Sequence, residues 1–244
     1  MRNSSYPALT ALFLALCTTA CQKKKGLESC SSDCTTVAGR LLTANGQAPI
    51  GGATVLVRCI NPAGLAAGAK ARVKAKGRTD ASGTYRISFY ITDSEQTQYA
   101  QFFVEYIVDD DAYYSIENQN YASLDDAKRD TLMQLPDFTI PRLAHVCLSI
   151  TNPHQLTATH GKFGSSFSSC YGVNSASTPT IGILFWDYLM SLDELPNSIK
   201  YPTPIAGDQP ILVQHSRTVN GVSTVSTDSL FIPAGTTSNY TVTY

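Results

Sequence analysis

GGATVLVRC, residues Gly51–Cys59, and GRTDASGTYRISF, residues Gly77–Phe89, decide the fold. Val55 and Val57 alternate with Thr54, Leu56 and Arg58, the two-residue period of a β-strand. Tyr85, Ile87 and Phe89 alternate with Arg86 and Ser88 in the same way. Between them, Thr79-Asp80-Ala81-Ser82-Gly83-Thr84 predicts a hairpin turn. Asp80 can accept backbone N–H bonds, and Gly83 can adopt the left-handed conformation that closes the turn. Further strands follow on both sides, so the expected fold is all-β and built from sandwiches.

Working toward the N-terminus, Thr36 to Leu42 reads as a strand and Asn45-Gly46 as a tight turn. Pro49-Ile50-Gly51-Gly52-Ala53 leads into the Gly51–Cys59 strand. Val37, Gly39, Leu41, Asn45, Gly46, Pro49, Ile50, Gly52, Ala53, Val55, Val57, Thr79, Asp80, Gly83 and Tyr85 form the pattern V-x-G-x-L, N-G, P-I-x-G-A-x-V-x-V and T-D-x-x-G-x-Y. This pattern resembles the carboxypeptidase regulatory-like, or transthyretin-like, sandwich. The resemblance implies a seven-stranded spacer or binding domain and brings no catalytic residues with it. It departs from the family between Ile60 and Lys76, where Asn61 to Gly68 lengthens the usual connection. Gln101 to Val108 is apolar enough for a central strand, and Leu135 to Pro141 is the expected last strand. Leu124 to Leu135 is expected to be a short helix or irregular crossover.

The N-terminus is a targeting segment. Arg2 is followed by an apolar run from Ala8 to Leu16 and small residues at 18–20, the layout of a secretory signal peptide. Thr18-Thr19-Ala20-Cys21 resembles a bacterial lipoprotein box, which implies cleavage before Cys21 and lipidation of its thiol. Gln22-Lys23-Lys24-Lys25 stands where some Bacteroidota lipoproteins carry an acidic surface-export signal. A periplasm-facing position therefore stays open beside a surface-exposed one. Residues 22–34 are polar, serine-rich and aperiodic, a tether.

The second half reads as a different sandwich. His145 to Ile150, Ile181 to Trp186, Ile211 to His215 and Tyr240 to Tyr244 are strand-like, and Asn220-Gly221 is a hairpin turn. The ending is similar to the last strands of immunoglobulin-like modules in Bacteroidota lipoproteins. The expected division is 1–20 signal, 21–34 tether, 35–141 carboxypeptidase regulatory-like sandwich and 142–244 immunoglobulin-like sandwich.

The totals narrow the function. Of 244 residues, 15% are charged and 43% hydrophobic, as in a folded chain. Net charge is −1, so no basic field points to nucleic acid. Asp109-Asp110-Asp111 is read as a solvated loop tip rather than a calcium site, since adjacent carboxylates point in different directions. His145, His154 and His160 lack a carboxylate at ligand spacing. Gly161 to Ser169 is read as a glycine- and serine-rich loop, and Ser165, Ser166, Ser168 and Ser169 sit in no G-x-S-x-G elbow. Tyr113-Tyr114 and Trp186 with Tyr188 are the candidate aromatic face for glycans. No cofactor, metal or catalytic residue is expected. The reading is a non-enzymatic, lipid-anchored module of the cell envelope and outer membrane with a structural or binding role. A glycan-binding surface module is the alternative, and a metal-dependent hydrolase ranks third.

Seven cysteines occur. Cys17 leaves with the signal and Cys21 takes lipid, leaving five in an oxidising compartment. Cys147 and Cys170 share the second half and are expected to pair. A hairpin centred near residue 47 would bring Cys34 close to Cys59, with Cys30–Cys59 as the alternative pair.

Overall fold

The computed structural model describes residues 30–61, 70–96, 99–115, 120–151, 162–173, 180–184 and 202–243. The chain is all-β, as the alternation predicts. Its first half contains β1 (Thr35–Thr43), β2 (Ala48–Pro49), β3 (Thr54–Asn61), β4 (Lys70–Arg78), β5 (Thr84–Phe89), β6 (Gln101–Ile107), β7 (Tyr121–Ser123), β8 (Leu132–Gln134) and β9 (Phe138–Thr139). One sheet is built on β1, which pairs antiparallel with β5 and β2 and parallel with β8 and β9. The facing sheet runs β4-β3-β6-β7.

Period-2 alternation puts one set of side chains from each sheet into a shared core. Strand β5 alternates exposed and buried, so Tyr85, Ile87 and Phe89 point inward with Val37 and Leu41. They meet Val55, Val57, Val104 and Tyr106 of the other sheet. Each such side chain contributes about 1.5–3 kcal/mol when fully buried. The Tyr85 and Tyr106 hydroxyls hydrogen-bond each other at 2.8 Å inside this core. Gly39 makes room for that contact: a Cβ there would sit 2.5 Å from the Tyr85 hydroxyl.

The turn before β5 has the predicted chemistry. Asp80 Oδ1 accepts the Ser82 and Thr84 backbone N–H groups at 2.8 and 2.9 Å and the Ser82 hydroxyl at 2.7 Å. Those bonds, led by the Ser82 hydroxyl, hold the Asp80 carboxyl below its usual range. Gly83 has φ +76°, and a Cβ there would stand 2.4 Å from the Leu41 carbonyl oxygen. Only glycine fits.

Two expectations about this half need correction. The Asn45-Gly46 turn joins β1 to the two-residue β2, not to the Gly51–Cys59 strand. Thr79 fixes that crossing: its buried hydroxyl donates to the Ile50 carbonyl at 2.7 Å and accepts the Ala53 N–H at 3.0 Å. Strand β3 then starts in the opposite sheet. The last strand is also shorter than Leu135 to Pro141, because only Phe138 and Thr139 pair along β1 as β9. Residues 124–135 form an irregular crossover that ends in β8.

The second half contains β10 (Arg142–Thr151), β11 (Lys162–Ser169), β12 (Gly172–Val173), β13 (Thr180–Leu184), β14 (Thr203–Gly207), β15 (Pro210–Val219), β16 (Val222–Phe231) and β17 (Thr237–Thr243). Sheet β14-β10-β17 faces sheet β13-β11-β15-β16. Ala144, Val146 and Ile205 from the first meet Phe167, Ile211 and Val213 from the second, with Ile232 between them. The β15–β16 hairpin closes on Asn220 and Gly221, both at positive φ, the two-residue turn whose twist matches the strands. Gly161 to Ser169 is not a loop: from Lys162 it is strand β11, with Ser165, Phe167 and Ser169 facing inward at period 2.

The two halves of the chain are linked through β12, Tyr171 and Gln209. Strand β12 pairs with β9 of the first half, and Tyr171 packs in the first core, its hydroxyl bonded to Asn120. Gln209, 1% exposed, accepts the Asn45 N–H at 3.1 Å and donates to the Cys170 carbonyl at 3.0 Å.

Candidate functional site

Three constellations stand out, and each follows from strand geometry. The first is a buried charge cluster at one end of the first sandwich. A β-bulge in β4 places Lys74 as the extra residue, since Val57 pairs with Ala75 and Arg58 with Val73. Bulges re-aim side chains, and this one turns Lys74, 4% exposed, toward Glu95, 3% exposed. Thr92-Asp93-Ser94-Glu95 is a capping box around a 3-10 turn (Asp93–Glu95). Glu95 Oε2 accepts the Thr92 N–H at 2.8 Å, the Thr92 hydroxyl at 2.9 Å and Lys74 Nζ at 2.9 Å. Glu95 Oε1 accepts Arg72 Nη2. Burial alone would raise this carboxyl, but the Thr92, Lys74 and Arg72 bonds together outweigh it and bring it down to about 2. A carboxylate held by four donors ties the 92–100 connection to β4 and is engaged in structure rather than presented to a substrate.

Cys59 lines the same buried end, facing inward on β3 at 1% exposure. Burial, and then the Glu95 charge, push its thiol up to about 12, so it is an inert thiol.

The second constellation crosses between the sheets of the second sandwich. His215 is the last inward residue of β15 before the hairpin leaves the core. It stands directly opposite Ser165 on β11. Ser165 Oγ lies 2.8 Å from His215 Nδ1, and His215 Nε2 lies 3.0 Å from the Tyr240 hydroxyl. The Tyr240 hydroxyl donates to Asp228 Oδ2 at 2.9 Å. Because Tyr240 gives its proton to Asp228, His215 Nε2–H donates to Tyr240, and Ser165 donates to Nδ1. The ring is stacked between Phe163 and Tyr240 at centroid distances of 5.8 and 5.6 Å. Burial lowers the His215 pKa, with the Asp228 charge opposing. Burial and Asp228 raise Tyr240 to about 12. Ser165 is 3% exposed and donates into the ring, so it is a tie between strands rather than a presented nucleophile.

A His215→Phe variant is expected to lose about 1–3 kcal/mol of unfolding free energy at pH 8, because Ser165 loses the acceptor for its hydroxyl. The pH slope follows from linkage. His215 holds its proton less tightly folded than unfolded, so the unfolded state binds more protons below its pKa of about 6.5. Wild-type stability therefore falls as pH drops through that value. Denaturant unfolding from pH 8 to 5 should show this component flattened in His215→Phe.

The third constellation is a groove of about 850 Å³ lined by the start of β6, the end of β7 and the 125–128 turn. Its aromatic wall is Phe103 and Tyr121, edge to face at 5.8 Å. Tyr121 is 49% exposed.

The candidates read from the sequence fall differently. Cys21 lies outside the described residues, as do His154, His160, Trp186 and Tyr188. Cys34 is bonded to Cys30, Cα atoms 5.7 Å apart, not to Cys59. The reason is topological: Cys34 precedes β1, whose partner is β5 (Thr35 opposite Phe89), while Cys59 lies in the facing sheet opposite Phe102. Cys30–Cys59 fails with it. The Cys147–Cys170 pairing also fails, and neither residue is in a disulfide. Cys147 sits on the face of β10 opposite to the buried Ala144, Val146 and Leu148, and Cys170 follows β11 in the other sheet. Tyr114 is buried and Tyr113 packs against the first core, so this pair presents no face. His145 lies on β10, and Asp109 accepts the Asp111 N–H in the loop after β6. Of the groups sequence reasoning missed, Glu95 carried a signal in its capping box and His215 in its inward position on an alternating strand.

No protein-family model matches the chain, and comparison with curated proteins gives no significant match. Comparison with solved structures gives matches of low similarity. A Cyanothece 9R-lipoxygenase is 14% identical over 47% of this chain and 18% of its own, with TM-score 0.34. The Bacillus anthracis TIE protein is 9% identical over 86% of this chain and 34% of its own, with TM-score 0.33. The shaft pilin SpaA of Lactobacillus rhamnosus GG is 13% identical over 86% of this chain and 97% of its own, with TM-score 0.30. The chain thus spans less than two thirds of the first two structures. Likenesses this distant carry no functional argument.

Proposed function

We propose that the chain is a non-enzymatic structural or binding module of the bacterial cell envelope, held at the outer membrane by lipid on Cys21, with a carboxypeptidase regulatory-like first sandwich. The observation that carries the non-enzymatic part is the state of the reactive groups. Glu95 is held by four donors, Cys59 is a buried high-pKa thiol, and Ser165 is enclosed. Among the described residues, the groove with an exposed aromatic wall is instead suited to binding. The disulfide Cys30–Cys34 supports an oxidising compartment, as the signal sequence and lipoprotein box do. The Thr79–Tyr85 turn and the Gly39–Tyr85 contact support the sandwich type.

Two measurements test this. The mature protein should fractionate with membranes and a Cys21→Ala variant should not be processed as a lipoprotein; unchanged processing and detergent partitioning would remove the anchor. The purified protein should leave a panel of ester, peptide and glycoside substrates intact. Turnover that disappears in Ser165→Ala would make the chain an enzyme.

A further inference from the structure

We propose that the groove beside β6 and β7 is a saccharide site that takes neutral or amine-bearing sugars. This rests on the reading of the chain as a binding module and names the ligand class of that module. Three observations carry it.

The first is the wall. On the outer face of the β4-β3-β6-β7 sheet, Phe103 and Tyr121 are diagonal neighbours, since Phe103 pairs with Ser123 and Glu105 with Tyr121. Their rings meet edge to face at 5.8 Å, so Phe103 braces Tyr121 in an aromatic face that stays half-exposed at Tyr121. Pyranose rings present a flat patch of C–H groups, which packs on such a face with the directional preference of aromatic contacts. Ile60 and Leu124 extend the apolar floor.

The second is the rim. Gln96, Gln101, Ser123, Asp125, Asp126 and Lys128 surround the wall. Asp125 already accepts the Ser123 hydroxyl at 2.6 Å, which fixes its carboxylate at the edge. Asp126 sits at φ 57°, in the left-handed region, and lies beside it, exposed. Carboxylate and amide groups that converge on an apolar patch suit a ligand made of hydroxyls around a C–H face. A lipid tail would leave them desolvated and unpaired.

The third is charge. Glu95 is held by two cations, Lys74 and Arg72, neither of which lines the groove; at its exposed rim Asp125 and Asp126 face one lining cation, Lys128, a local acidic excess. That excess disfavours phosphate- and uronate-bearing ligands, nucleic acid among them, and favours a neutral sugar or an ammonium placed near the Tyr121 face. The volume, about 850 Å³, lies within the range of small-ligand sites.

The test uses the mature chain with three soluble probes: N-acetylglucosamine oligomers, glucosamine oligomers and oligogalacturonate. Calorimetric titration should show binding of the first two and none of the third. Tyr121→Ala should weaken that binding by about tenfold while leaving the melting temperature within a degree or two, because the side chain is half-exposed. Asp126→Asn should weaken glucosamine oligomers several-fold and leave the acetylated ones unchanged. No binding of either glucosamine probe, oligogalacturonate binding as tight as theirs, or full binding in a folded Tyr121→Ala would overturn the proposal. Those failures are distinct from failure of the module reading, which is decided by turnover and fractionation.

Discussion

A Glu95→Ala variant is expected to lose about 3–5 kcal/mol of unfolding free energy at pH 7, because it removes the carboxylate that faces a buried ammonium. Lys74 is 4% exposed and reaches Glu95 at 2.9 Å; without the carboxylate its ammonium has lost the counter-ion the bulge aims it at. Arg72 is half-exposed and can turn to water, so most of the cost falls on Lys74 and on the Thr92 cap. Urea unfolding followed by fluorescence measures it, and a loss under about 1 kcal/mol, the range of an exposed pair, would show that the cluster is solvated. The sign of the pH dependence is fixed. Glu95 titrates near 2 folded against a normal 4.5, so its stabilisation is present above about pH 4.5 and is lost as pH falls toward 2. That acid limb, about 3 kcal/mol in wild type, should be missing from Glu95→Ala. Replacing Lys74 and Glu95 together by Met and Leu should recover part of the loss, since a matched apolar pair removes both buried charges.

Phe138→Ala is the other large effect, expected at about 3–5 kcal/mol for a fully buried aromatic. The ring is 2% exposed and sits where three parts of the chain meet. It lies 4.6 Å from the Tyr106 ring of β6 and 5.9 Å from Tyr171, which arrives from beyond β11. Strand β9 has only two residues, so its two pairings with β1 depend on this anchor. The loss should therefore exceed that of a single aliphatic truncation in β1. It should also weaken the bond from the Tyr171 hydroxyl to Asn120. A Phe138→Leu variant should recover most of the stability. If Phe138→Ala unfolded within about 1 kcal/mol of wild type, the junction between the halves would not rest on this ring.

Much of this protein was legible locally. Alternation at Tyr85, Ile87 and Phe89 set which side chains face the core. The Asp80 and Gly83 chemistry set the turn, and Asn220-Gly221 set a hairpin. These features depend on neighbours within a few residues, and the sequence states those neighbours directly. The cysteine pairing depended on which strand lies beside β1. The Asn45-Gly46 turn suggested β3, and the answer, β5, comes from a chain segment some forty residues further on. Pairing of that kind is chosen by the summed packing of two faces, which no local pattern encodes. The same limit hid both buried polar clusters. Glu95 meets Lys74 only through a bulge in another strand. His215 meets Ser165 and Tyr240 only because β15 lies beside β11 in one sheet, while β17 belongs to the sheet that faces it. By itself the sequence determined an all-β chain and the local turns. Only the tertiary structure decided which strands are neighbours, which thiols can bond, and that Tyr121 rather than Tyr113 and Tyr114 presents a ring to solvent, because contacts between distant segments are set by the global packing.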